Sequence, residues 1–274
     1  VEGLLPLLSP EPTIMGVLDR FRLDGKRLFI TGGSRGLGRE MALAIAEAGA
    51  DIILTGRDTK SLDTAAEEIR QLGRRADTLQ ADMSDMDACE SACQHALQHF
   101  GPIDILINNV GGRRENIPTQ DMPLIKWRKL MDLNLTSTFL CTKLMGGAMI
   151  DRGQGGRIIN VASTNAFVVG QQIAGRHYET AKAAVVQFTR ATAVDWAPEG
   201  ITANAICPGM FMTEANLRWS KIHPEVVERY RSQVPLGDFG NSEDLGALAV
   251  FLASDAARYM TGASLVLDGG FTLC

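Results

Sequence analysis

The stretch Leu28-Phe29-Ile30-Thr31-Gly32-Gly33-Ser34-Arg35-Gly36-Leu37-Gly38 decides how this chain folds. Leu28 to Thr31 have strand character and run straight into a turn with glycine at 32, 33, 36 and 38. Small residues let the backbone approach a ligand closely. A helix that starts at the end of the turn offers free N–H groups and partial positive charge. A dinucleotide pyrophosphate requires that combination. On its own, the motif is equally readable as a tight strand-to-helix turn without a ligand.

The surrounding pattern gives the turn its weight. Strand-like runs are read at 27–31, 51–55, 76–81, 103–108, 157–161, 202–207 and 263–267. Helical stretches at 38–48, 61–72, 85–100, 123–149, 178–197 and 243–253 separate them. This alternation predicts an α/β protein. Its core is a Rossmann-type doubly wound parallel sheet of about seven strands, with right-handed crossovers and helices on both faces. No low-complexity linker or composition break interrupts it. Residues 1–22 are therefore expected to be an N-terminal arm and 23–274 a single dinucleotide-binding catalytic domain. The least regular internal stretch, 209–241, is expected to be a loop region that shapes substrate binding.

The second strand ends Leu54-Thr55-Gly56-Arg57. An acid at this place grips the adenosine ribose of NAD and repels the phosphate of NADP. No carboxylate occupies the strand end, although Asp58 follows it. Arg57, and Arg35 in the glycine turn, can pair with a phosphate. NADP(H) is the favoured cofactor and NAD(H) the other possibility.

The chain has 274 residues, a formal net charge of −5 and 45% hydrophobic residues. An acidic chain is not built for nucleic acid, and no apolar run reaches membrane-spanning length. Residues 1–16 lack the basic start and apolar stretch of a signal peptide. Five scattered cysteines argue against a disulfide framework and for a cytoplasmic protein. Cys89, Cys93, His95 and His99 invite a metal reading. At about 100° per residue, the cysteines and the histidines fall on different faces of one helix, so no metal is expected. Cys141 and Cys207 lie in apolar runs and read as core fillers.

Tyr178 and Lys182 are four residues apart in a helical stretch and so share one face. At this point the residues resemble the short-chain dehydrogenase/reductase family, in its short single-domain branch. The likeness runs from about Leu23 to Phe271 and rests on several motifs in order. The turn Thr31 to Gly38 resembles the family's cofactor turn, with Gly32, Ser34, Arg35, Gly36 and Leu37 as contacts. Asp82, followed by Met83, matches its adenine-contacting acid. Asn108-Asn109-Val110-Gly111 resembles its Asn-Asn-Ala-Gly strand end, with Val110 replacing alanine. Asn134, Ser163, Tyr178 and Lys182 fall where the catalytic four belong. Pro208, Gly209 and Thr213 resemble the segment that holds the nicotinamide amide. One departure stands out: Ser163 lies further before Tyr178 than is usual, and the common interval lands on Asn165. The extra length is assigned to the loop 167–177.

The resemblance implies a division of labour. Hydride transfer to a carbonyl carbon makes an alkoxide, and Tyr178 would protonate it. A free tyrosine titrates near ~10, and a cation beside it lowers that value. Lys182 is expected to do so and to hold the nicotinamide ribose. Ser163 would donate a hydrogen bond to the carbonyl oxygen, or only cap local backbone. Asn134 would hold a relay water, or tie helix to strand. Thr213 would bond the carboxamide, or cap a helix. Arg113 and Arg114 follow the fourth strand and would meet an acidic substrate or only solvent.

The expected reaction interconverts a small-molecule carbonyl and a secondary alcohol. The substrate would be a 3-oxoacyl thioester, a sugar acid or polyol, or another ketone. A cofactor-binding redox sensor without turnover is the alternative from another class. A lyase or epimerase of the longer-chain branch is opposed by the chain length and the glycine spacing. Relatives of this size imply a homotetramer or homodimer.

Overall fold

The computed structural model describes residues 16–170 and 173–273. Most of the expected arm, residues 1–15, lies outside them, as do Gln171 and Gln172 of the loop 167–177 and Cys274. No helix among the described residues is long and apolar enough to cross a membrane.

The first half runs β1 (Arg27–Ile30), α1 (Gly36–Glu47), β2 (Asp51–Gly56), α2 (Thr59–Gln71), β3 (Ala76–Gln80), α3 (Met86–His99) and β4 (Ile105–Asn108). One long helix follows. It is made of α4 (Leu124–Met131), α5 (Ser137–Cys141) and α6 (Gly147–Arg152), joined by π-helical segments at Asp132–Thr136 and Thr142–Gly146. Then come β5 (Gly156–Val161), α7 (His177–Trp196), β6 (Ile201–Pro208), α8 (Glu214–Ile222), α9 (Pro224–Ser232), α10 (Ser242–Ala253) and β7 (Ser264–Leu267).

The seven strands form one sheet in the order β3-β2-β1-β4-β5-β6-β7, and every pairing is parallel. Strand alternation splits the core between the two faces. Leu28 and Ile30 of β1 join a cluster with Met41 and Ile45 of α1 and Leu245 and Leu252 of α10. Phe29, between them, joins the opposite cluster with Cys89 of α3 and Met145 and Met149 of the long helix. β1, β2, β4, β5 and β6 are buried on both faces, which is why they read as continuous apolar runs, whereas the edge strands β3 and β7 are only partly covered. Chain order reverses between β1 and β4, and such a switch point opens a crevice beyond the strand ends.

Local chemistry sets the helix ends. Asp85 caps α3 by accepting from the N–H groups of Asp87 (3.0 Å) and Ala88 (3.2 Å). Asp58 caps α2 by accepting from Ser61 N at 2.9 Å. Asn241 and Asp244 form a capping box on α10.

Residues 209–241 depart from expectation. Where the sequence predicts a loop, the chain forms α8 and α9, with an isolated bridge from Phe211 to Gly240. Each helix is nine residues long and carries few apolar side chains, so neither shows a sustained period. His223-Pro224 separates them, with the proline at the first turn of α9, where its missing N–H costs nothing.

Candidate active site

The glycine turn is shaped by contacts that no side chain would tolerate. A Cβ on Gly38 would sit 2.3 Å from the Gly32 carbonyl oxygen, and one on Gly33 would lie 2.7 Å from Leu54 Cδ2. Gly32 (φ +66°) and Gly36 (φ +57°) take the left-handed conformation that favours glycine. A Cβ on Gly36 would meet only Thr213, at 3.6 Å, so the turn faces open space there. The N-terminus of α1 has no side-chain cap, and its first N–H groups are left for a ligand. Asn109 locks the turn to the end of β4 by donating to the carbonyls of Thr31 (3.0 Å) and Gly32 (3.2 Å). Thr31 Oγ1 accepts in return from the N–H groups of Asn109 and Val110, at 2.9 and 3.1 Å. A pyrophosphate fits this cradle.

From the turn, a cleft of about 720 Å³ runs across the switch point. Gly32, Ser34, Arg35, Gly36 and Leu37 line it, as do Arg57, Asp82, Met83, Asn109, Val110 and Gly111. Ser163, Tyr178, Lys182, Pro208, Gly209 and Thr213 complete the predicted set. Asn134 is the exception. It is fully buried behind the wall, in the first π segment.

At the adenosine end, Asp58 is turned away as the cap of α2, so the second strand offers no acid. The sequence suggests no acid opposing Arg57, but the turn that follows β3 supplies one. Asp82 lies 3.7 Å from Arg57, with both side chains about half exposed. Burial works to raise Asp82. Hydrogen bonds from Ser84 and the charge of Arg57 outweigh it and hold the carboxyl below its ordinary range. Arg114 also lines this cleft, and at φ 59° it is the one non-glycine with positive φ among the described residues. Burial lowers its guanidinium first, and the charges of Arg57 and Arg35 add to that.

At the other end, Ser163 sits on the cleft wall at the end of β5, and Asn165 does not. Ser163 Oγ also accepts from Asn165 N at 3.1 Å, so it serves as a local cap as well. Lys182 is buried, and its Nζ donates to the Val161 carbonyl at 2.7 Å. Burial lowers its ammonium to about 8. Asn134 Oδ1 accepts from Gly112 N at 2.8 Å, while its Nδ2 donates to the carbonyls of Leu130 (2.8 Å) and Gly112 (3.1 Å). A Cβ on Gly111 would lie 2.9 Å from both Asn134 Oδ1 and Lys182 Nζ, which shows how tightly these groups converge.

One expectation needs correction. Lys182 is expected to pull the Tyr178 phenol down. Burial instead raises the phenol, and the opposing influences are a hydrogen bond with Ser163 and the charges of Arg113 and Arg114. Arg113 lies over the Tyr178 ring, 5.0 Å from its centroid, whereas Lys182 Nζ is 5.9 Å away. Arg113 is therefore not a free substrate anchor. It donates to both carboxylate oxygens of Glu179 (3.0 and 2.9 Å) and to the carbonyls of Ala174 and Gly175. His177, next to Tyr178, is buried, and its Nε2 lies 2.8 Å from the Arg113 carbonyl.

Several wall residues escape a reading by motif. Leu130 and Leu133 come from the long helix, and Phe211, Asn216 and Arg218 from the α8 region. Thr213 both lines the cleft and caps α8, accepting from Asn216 N at 3.3 Å. α9 brings Tyr230 against Thr164, and burial pushes the Tyr230 phenol up to about 12 against that hydrogen bond. The missed signal is the pair of helices inside 209–241.

The sequence motifs and this geometry agree with what the chain is similar to. A family model described as enoyl-(acyl carrier protein) reductase matches residues 32–272. The chain is 37% identical to galactitol 2-dehydrogenase (L-tagatose-forming) of Cereibacter sphaeroides, covering 92% of this chain and 97% of that protein. It is 38% identical to 2-dehydro-3-deoxy-D-gluconate 5-dehydrogenase of Bacillus subtilis, covering 94% and 99%. The crystal structure of a gluconate 5-dehydrogenase from Burkholderia cenocepacia, in complex with NADP and tartrate, superposes with a TM-score of 0.87. It is 36% identical and covers 94% of this chain and all of that one. The chain belongs to the short-chain dehydrogenase/reductase family, and it is an oxidoreductase.

Proposed function

We propose that this chain interconverts a secondary alcohol and a ketone on a sugar acid or polyol, with NADP(H) as the favoured cofactor and NAD(H) as the second. The observation that carries this reading is the single cleft in which Ser163, Tyr178 and Lys182 share a wall with an uncapped helix N-terminus and Arg35 and Arg57. Lys129 adds positive charge to the same cleft, and the similarity to dehydrogenases of sugar acids and polyols supports that substrate class over an apolar ketone.

When bound, the nicotinamide supplies or takes up the hydride. Gly32 to Leu37 and the α1 N-terminus hold the pyrophosphate, and Arg35 and Arg57 the adenosine phosphate. Asp82 and Met83 border the adenine. Asn109, Val110, Gly111, Pro208, Gly209 and Thr213 fix the nicotinamide side. Ser163 donates to the substrate oxygen, and Tyr178 gives or takes its proton. Lys182 spends one of its three donors on Val161 and keeps two for the ribose. Asn134 stiffens the backbone at Gly112.

Residues 23–274 act as one catalytic unit after the arm 1–22, with 209–241 shaping the substrate end. Leu124, Ile125, Phe139 and Val194 are exposed apolar side chains that suit a homotetramer or homodimer, and the free, buried Cys89, Cys93, Cys141 and Cys207 suit a reducing cytoplasmic setting. Sedimentation at micromolar concentration showing only monomer would remove the oligomer.

The test is a panel of sugar acids, polyols and 3-oxoacyl thioesters, each offered with NADP and NAD in both directions and followed by nicotinamide absorbance. Turnover is expected to be greatest on sugar acids with NADP(H). Tight cofactor binding without turnover on any substrate would point to the sensor instead.

A further inference from the structure

Away from the cleft, three thiols meet in the core. Cys89 and Cys93 are one turn apart on α3, and Cys141 ends α5 on the facing helix. All three are fully buried. Cys141 Sγ lies 3.6 Å from Cys89 Sγ and 3.7 Å from Cys93 Sγ, and all three sulfurs fall within 4.8 Å of one another. Helix geometry correctly separates this pair from His95 and His99, which face solvent. The third sulfur comes from 48 residues further on, so no local spacing announces it.

Three sulfurs in a triangle form a soft ligand set. The setting decides which ion suits it. The thiols belong to an apolar cluster with Phe29, Met83, Leu106 and Met145. No lysine or arginine stands among the groups that act on them. An ion bound here must therefore leave no net charge, because burying an unpaired charge is expensive. Zinc on three thiolates carries one net negative charge and still seeks a fourth ligand. A trivalent metalloid does neither.

We propose that Cys89, Cys93 and Cys141 form a three-thiol site for a trivalent, thiophilic metalloid hydroxide, with arsenite as its probe. The step is As(OH)3 + 3 Cys–SH → As(S–Cys)3 + 3 H2O. Three As–O bonds break and three As–S bonds form. Each thiol proton leaves with a hydroxide as water, and nothing is oxidised or reduced. The neutral product stays in the apolar core and clamps α3 to the long helix. Entry follows local opening of α3, so uptake is slow.

The experiment incubates the full, reduced chain with arsenite under native conditions and follows the intact mass over hours. The expected result is one adduct per chain that gains one arsenic and loses three hydrogens. A two-thiol adduct differs, because it keeps a hydroxyl. Cys141→Ala is expected to abolish the three-hydrogen adduct, and C207A/C274A to keep it. Zinc at the same concentration is not retained. X-ray absorption of arsenic-loaded wild-type protein is expected to show three sulfur neighbours and no oxygen, a readout that needs no variant to fold. The proposal is overturned by no adduct on the folded chain, by an adduct only after denaturation, by a three-hydrogen adduct that survives Cys141→Ala, or by zinc held in preference to arsenite.

Discussion

The two walls of the cleft are built on different principles. The wall around Gly32 to Gly38 is backbone, held by Asn109 and Thr31 at the ends of adjacent strands. The facing wall is side chain, carried by α7, α8 and the turn after β5, and it is tuned by groups behind it. A backbone wall recognises what all dinucleotides share. A side-chain wall carries the proton chemistry and the choice of substrate, so substitutions there are expected to separate turnover from cofactor binding.

The largest separation is expected from Tyr178→Phe, which removes one hydroxyl from the side-chain wall. Turnover should fall by roughly 10²–10⁴-fold, the worth of a positioned acid or base. Cofactor affinity, measured by fluorescence titration, should hardly move. Parallel loss of both would make Tyr178 a structural residue and erase the contrast.

Glu179→Ala tests the support behind that wall. The side chains of Glu179 and Arg113 are only 9% and 17% exposed, and removing the acid strands a guanidinium that stacks over Tyr178. Breaking such a pair costs about 3 kcal/mol. A urea midpoint unchanged from wild type would show that the Ala174 and Gly175 carbonyls suffice for Arg113.

Lys182 gives the wall a pH signature. Its folded value is about 8, against 10.5 as the ordinary reference. Between those values the unfolded chain carries a proton that the folded chain has released, so stability rises with pH across that window. Below about pH 8 both states are charged and the cost of the buried ammonium stays constant. Relative to Lys182→Met, wild-type protein without cofactor should gain on the order of 2 kcal/mol as pH rises from 8 to 10.5. Matching slopes for the two proteins would refute the buried-cation picture.

The smallest effect belongs to the edge of the backbone wall. Arg57→Ala should weaken NADPH about tenfold more than NADH, or about 1.4 kcal/mol. Asp82 at 3.7 Å keeps the figure modest, because it already shares the guanidinium's charge. Equal effects on both cofactors would leave Arg57 as a surface residue.

Legibility follows the same division. The glycine turn could be read because Gly33 and Gly38 meet neighbours that no Cβ clears, so composition and geometry are one statement. Strands buried on both faces could be read as apolar runs. Tyr178 and Lys182 could be placed on one face from their spacing. Arg113 could not, because its partner Glu179 is 66 residues away and nothing local marks the pair. Nor could α8 and α9, whose short polar helices carry no sustained period.

The sequence by itself determined the sheet, the cofactor turn and the Tyr178–Lys182 pair, because each rests on contacts between residues near one another or on a repeating pattern. Only the tertiary structure decided that Asp82 answers Arg57, that burial and Arg113 set the Tyr178 environment, and that Cys141 completes a triangle with Cys89 and Cys93. These depend on which distant side chains the parallel sheet brings together, and on how much water it excludes.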